Sequence, residues 1–150
     1  MHRLDPDLLP ATSPTRRTLE PVNPDTLGVP RGYTNGMLAP PGWRVLFIAG
    51  QTAADADGSV AEPAFVQQFQ TALDKTLAVV REAGGSPEHV ARMTVYVTDM
   101  PTYRSSRAYL AKVWRARMGR HYPAMALLGV VSLVDEAATV EIEATAVVPG

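Results

Sequence analysis

The chain has 150 residues, a formal net charge of −1 from 14 basic and 15 acidic side chains, and no cysteine. That length suits one domain around one core. The charge balance gives no field to draw in nucleic acid or an anionic membrane, and the missing cysteines exclude disulfides, thiolate-held zinc, iron–sulfur clusters and thiol catalysis.

Residues 1–14 are rich in proline and polar groups, show no apolar period, and read as a flexible leader before a single domain over 15–150. No h-region and no membrane-length apolar stretch is present, so the expected location is the cytoplasm. A short strand is expected over 16–20, ended by Pro21. Turn residues dominate from Asn23 to Gly32. A second strand over 33–38 and an apolar strand over 43–50 read as a hairpin joined at Pro40-Pro41-Gly42. The loop Asp55-Ala56-Asp57-Gly58 has too few acidic positions for an EF-hand.

Phe65, Phe69, Leu73, Leu77 and Val80 recur at three- and four-residue steps and predict an amphipathic helix, stopped by Gly84-Gly85. Ser86-Pro87-Glu88 resembles a cap and first turn. Alternation of Val95 and Val97 with Thr94, Tyr96 and Thr98 predicts a strand. Asp99 or Thr102 can cap a second helix that runs through Tyr103, Arg107, Leu110 and Trp114. A strand follows Pro123, then a turn near Asp135-Glu136. The last strand alternates strictly: Val140, Ile142, Ala144 and Ala146 point one way, and Glu141, Glu143 and Thr145 the other. The order β-β-β-α-β-α-β-β predicts an α+β fold: one mixed sheet of about six strands with two helices on one face. The other face is expected to pack against another subunit.

Gly32-Tyr33-Thr34, Phe47-Ile48-Ala49-Gly50-Gln51, Thr94-Val95-Tyr96-Val97-Thr98-Asp99-Met100, Tyr122-Pro123-Ala124 and Val140-Glu141-Ile142-Glu143-Ala144 fall in that order. Together, over most of 16–148, the chain resembles the RidA/YjgF family. The resemblance implies a chorismate mutase-like fold, a homotrimer with clefts between subunits, and hydrolysis of reactive enamines and imines without metal or organic cofactor. It also implies that Glu141 holds the attacking water and that Tyr33 stands at the cleft rim. Deaminating members carry an arginine two residues after the proline of the Pro-Ala segment, where it grips the substrate carboxylate. This chain has Met125 there, followed by Ala126 in place of a small polar side chain. A thioether has no donor and no charge, so less acidic or neutral ligands are expected.

Each candidate has a plainer reading. Glu141 and Glu143 could line a solvated strand face, although imine hydrolysis needs a carboxylate of this kind to take a proton from water. Tyr33 could be a core residue with a satisfied hydroxyl. Arg107 could replace the charge missing at Met125 or be an ordinary surface cation, as could Arg104. Gly50-Gln51 could admit a ligand to the backbone or be a simple bend. His121 reads as structural, and three scattered histidines make no metal site. Trp43 and Trp114 read as packing residues. The leading expectation is a small-molecule hydrolase with Glu141 as base and Tyr33, Met125, Arg107, Gln51 and Ala126 around the ligand. The alternative is a non-catalytic ligand-binding or regulatory trimer. Ribonuclease chemistry is disfavoured by the charge balance, the lack of a basic cluster and the lack of a histidine pair.

Overall fold

The computed structural model describes residues 18–150, so the expected leader and most of the strand expected over 16–20 lie outside the described residues. Six strands and two helices follow one another as β1 (Glu20–Val22), β2 (Gly36–Leu38), β3 (Arg44–Gln51), α1 (Phe65–Glu82), β4 (Val90–Val97), α2 (Met100–Met118), β5 (Ala124–Gly129) and β6 (Val140–Val148). This is the expected α+β order. The strands divide into an antiparallel β1–β2 ribbon and a mixed four-stranded sheet ordered β3-β6-β4-β5. Of its three pairings only β4–β5 is parallel, because α2 carries the chain back across the sheet between them.

Two local expectations give way. The segment over 33–38 does not form a hairpin with β3: β2 pairs with β1, and β3 pairs with β6 at the far end of the chain. Two consecutive prolines in the connection supply no N–H, which disfavours a tight two-residue turn. Pro21 also lies inside β1 rather than after it. A two-stranded ribbon has open sides where a missing N–H need cost no ladder bond.

One face of α1 buries Phe65, Phe69, Ala72, Leu73, Leu77 and Val80, at the spacing that places them on one stripe. They meet Met93, Val95 and Val97 of β4 and Val140, Ile142, Ala144 and Ala146 of β6 in a single cluster. Leu110, Val113, Trp114 and Met118 of α2 join the same cluster. Both helices therefore cover one face of the sheet. Leu73 and Leu77 are fully buried, and removing either side chain to Cβ would cost about 2–5 kcal/mol. Helix α1 stops where Gly84 turns to φ +85° and its N–H reaches the Arg81 carbonyl. Helix α2 starts at Asp99, whose carboxylate accepts from the Thr102 N–H at 3.0 Å.

Much of the opposite sheet face is open among the described residues. Phe47 is 80% exposed there, beside Thr145, and Leu128 is also exposed.

Candidate functional site

Strand β6 carries the acidic candidates because its alternation holds in three dimensions: Val140, Ile142, Ala144 and Ala146 are buried, while Glu141 is half-buried and Glu143 exposed. Its partner β3 carries a bulge. Ile48 lies opposite Ala144 and Gln51 opposite Ile142, so Ala49 and Gly50 together face a single residue of β6. The Glu141 carboxyl lies over Gly50. A Cβ at residue 50 would run into it, standing 2.9 Å from Glu141 Cδ. Gly50 is thus a close-approach glycine, not a simple bend. Gln51 ends the bulge with its amide turned back to the Ala49 carbonyl at 3.1 Å.

Tyr96 lies directly across from Glu141 in the β4–β6 register, and its hydroxyl donates to Glu143 Oε1 at 2.7 Å. That hydrogen bond, then desolvation and the nearby carboxylate charges, hold the phenol above its ordinary range. Glu143 is therefore engaged by a phenol, whereas the Glu141 carboxyl has no hydrogen-bond partner among the described residues.

The second group gathers on the helix side of the sheet. Thr34 bridges Ala124, its N–H donates to the Pro123 carbonyl at 3.1 Å and its hydroxyl to the Tyr122 carbonyl at 2.5 Å. These contacts seat Arg31 and Gly32 beside the start of β5. There a cavity of about 340 Å³ opens, and its lining includes Arg31, Gly32, Arg107, Trp114, Tyr122 and Met125. The structure thus brings Met125 and Arg107 together. Trp114 stacks on Tyr122 with ring centroids 5.8 Å apart and donates Nε1–H to the His121 carbonyl. His121 Nε2 in turn meets the Val90 carbonyl at 2.7 Å, as befits a structural histidine.

Glu141 and Met125 do not share one hollow within a protomer. Tyr96 opposes both Glu141 and Leu128, whereas Met93 opposes both Met125 and Ala144. Opposed residues share a face, so Glu141 and Met125 point to opposite sides of the sheet. Ala126, opposite Thr94, shares Glu141's side. Tyr33 is 41% exposed and does not line the Met125 cavity.

One expectation about charge is corrected. Arg104, Arg107, Lys112, Arg115, Arg117 and Arg120 fall between Asp99 and Asp135 with no acidic residue among them. Of these, Arg117 pairs with Asp74 of α1 at 2.5 Å. The near-zero total hides a basic helix because the acids sit elsewhere in the sequence. Among the described residues no group of three or more His, Cys, Asp or Glu side chains is placed to hold a metal ion, and no helix is long and apolar enough to cross a membrane.

Residues 31–148 match the family model described as Endoribonuclease L-PSP. No curated protein matches the chain. Among solved structures, a Rid-family protein from Yersinia pestis is 29% identical, with 87% of this chain and 99% of that one covered and a TM-score of 0.74. A member of the YjgF/YER057c/UK114 family from Mycobacterium tuberculosis is 26% identical over 78% of this chain and 87% of that one, with a TM-score of 0.57. A protein described as a probable translation initiation inhibitor, from Rhodopseudomonas palustris, is 26% identical over 92% and 96%, with a TM-score of 0.61. The chain belongs to the L-PSP family, also called YjgF/RidA.

Proposed function

We propose that this L-PSP family member is a small-molecule hydrolase acting on reactive imine, enamine or related C–N bonds, working in the cytoplasm as a homotrimer with clefts between subunits. The observation that carries the reading is Glu141: a half-buried carboxylate, without a hydrogen-bond partner among the described residues, lying over a glycine at a bulge. A carboxylate so placed can take a proton from water as the water oxygen adds to the C=N carbon. The nitrogen gains a proton, and the resulting carbinolamine expels ammonia to leave a carbonyl. Tyr96 assists by occupying Glu143, leaving Glu141 to act alone. Ala126 shares this face, Gln51 ends the neighbouring bulge opposite Ile142, and in this reading Tyr33 stands near the rim of the cleft.

Met125 stands where deaminating relatives place an arginine, so 2-imino acids are poor substrates in this reading. The test follows ammonia release from freshly generated imines with wild type and Glu141→Gln. Loss of a general base is expected to slow turnover by about 10²–10⁴. Equal rates would remove Glu141 from the mechanism.

A second reading, a non-catalytic ligand-binding trimer, draws support from one observation: the Met125 cavity opens on the side of the sheet away from the same protomer's Glu141. Thermal stabilisation by a ligand with no product formed would favour it. The basic helix α2 gives ribonuclease chemistry a surface but no catalytic pair, so RNA cleavage inseparable from the pure protein at high salt would be needed to support that reading.

A further inference from the structure

The bulge that brings Gly50 under Glu141 lies at the end of an edge strand. β3 pairs with β6 and has no strand on its other side. Such a bulge is held by ladder hydrogen bonds on one side only, so its shape depends on what fixes the chain that leaves it. That chain is fixed from α1. Lys75 Nζ donates to the Thr52 carbonyl at 3.0 Å and to the Ala54 carbonyl. The Thr52 hydroxyl donates to Asp135 Oδ2 at 2.9 Å and accepts the Ala54 N–H at 3.2 Å. Asp135 belongs to the loop that leads into β6. Gln68, 1% exposed, secures that loop: its amide donates to the Ala137 carbonyl at 3.2 Å and accepts the Thr139 N–H at 2.8 Å. Two side chains of α1 therefore hold both segments that flank the Gly50–Glu141 contact. Lys75 is the charged one, a half-buried ammonium set on two carbonyls, with no carboxylate paired to it among the described residues.

We propose that Lys75 is a positioning residue for Glu141. It acts through the bulge: by fixing residues 52 and 54 from the helix side, it fixes where the Gly50 backbone stands against the Glu141 carboxyl. A base that takes a proton from water needs such a stance, because a misplacement of about 1 Å can cost about 10²-fold in rate. The effect on rate rests on the hydrolase reading, whereas the clamp itself is measurable without turnover.

The experiment uses the lack of cysteine in the chain. Lys75→Cys supplies a single thiol. Alkylation in urea with 2-bromoethylamine rebuilds an ammonium of nearly lysine length, and iodoacetamide gives a neutral side chain of similar size; both products are refolded beside wild type. Lys75→Met, which needs no refolding, is expected to match the neutral product. Amide exchange over residues 49–52 should be about tenfold faster in the neutral form than in the ammonium form, as local opening becomes easier. With freshly generated imines, kcat should be about 10²-fold lower in the neutral form, with KM little changed. In a Glu141→Gln background the two forms should turn over equally, because Lys75 acts through that carboxyl. Equal exchange in the two forms, or the same loss of kcat with and without Glu141, would overturn the proposal. Exchange governed by the ammonium with no imine turnover in wild type sustains the clamp while removing the hydrolase reading. Glu141-dependent turnover that is equal in the two forms overturns the proposal and leaves the hydrolase reading in place.

Discussion

The Glu141 carboxyl occupies the space that a side chain on Gly50 would need. The two residues belong to neighbouring strands, and a bulge in β3 brings them together. Gly50 has no left-handed backbone, so alanine fits its conformation, and the only obstacle is the flexible end of Glu141. Gly50→Ala is therefore expected to leave stability within about 1 kcal/mol of wild type while displacing the carboxyl. Imine hydrolysis should fall as far as in Glu141→Gln, with the melting temperature almost unchanged. Full activity in Gly50→Ala would show that the position of this carboxyl does not matter to the chemistry.

Phe47, 80% exposed on the open sheet face, marks the surface proposed to join subunits. It shares that face with exposed Val45 and Leu128, and exposed apolar groups gathered on one face mark an interaction surface. Light scattering is expected to give three times the chain mass for wild type, and a smaller species for Phe47→Asp. A wild-type monomer at micromolar concentration would remove the shared cleft.

The Tyr96–Glu143 hydrogen bond predicts a phenol that titrates late. Because its folded pKa lies above the ordinary value, its contribution to stability is complete below about pH 10 and is lost as pH rises through the folded value. Absorbance of the phenolate should show one tyrosine ionising later than the rest. Glu143→Gln should bring that tyrosine back toward the others, and an unchanged titration would mean that the hydrogen bond does not persist in solution.

The turn after α1 separates two kinds of glycine. A Cβ on Gly85 would stand 2.7 Å from Val148 Cγ1 and 2.9 Å from Val80 Cγ1, both on buried side chains that have nowhere to go. Gly85→Ala is expected to cost about 1–3 kcal/mol in urea denaturation, as overpacking does. Gly84→Ala meets open space but a φ of +85°, so its cost should be about 1–2 kcal/mol and purely conformational. A stabilised Gly85→Ala protein would show that the C-terminal end of β6 yields more than its burial implies.

Most of the fold was legible because its signals are local. The stripe from Phe65 to Val80, the Asp99 cap and the alternation of β6 each act within one element, and each is found where the residues put it. Pairing was less legible. Nothing near Trp43 reveals that β3 will lie against β6 rather than β2, since that choice depends on which strands α1 can cover together. The bulge at Gly50 and the seating of Arg31 beside β5 through Thr34 arise from such long-range pairing too.

Residue types and their spacing showed which groups could do chemistry: a carboxylate on an alternating strand, a methionine in the place of a cation, and arginines along a helix. Which of them meet was settled by strand pairing and packing. Strand register assigns every side chain to one of two faces, and it sends Glu141 and Met125 to opposite sides of the same sheet while drawing Met125 and Arg107 into one cavity. Register comes from the packing of whole strands beneath two helices, and no single segment of the chain carries that information.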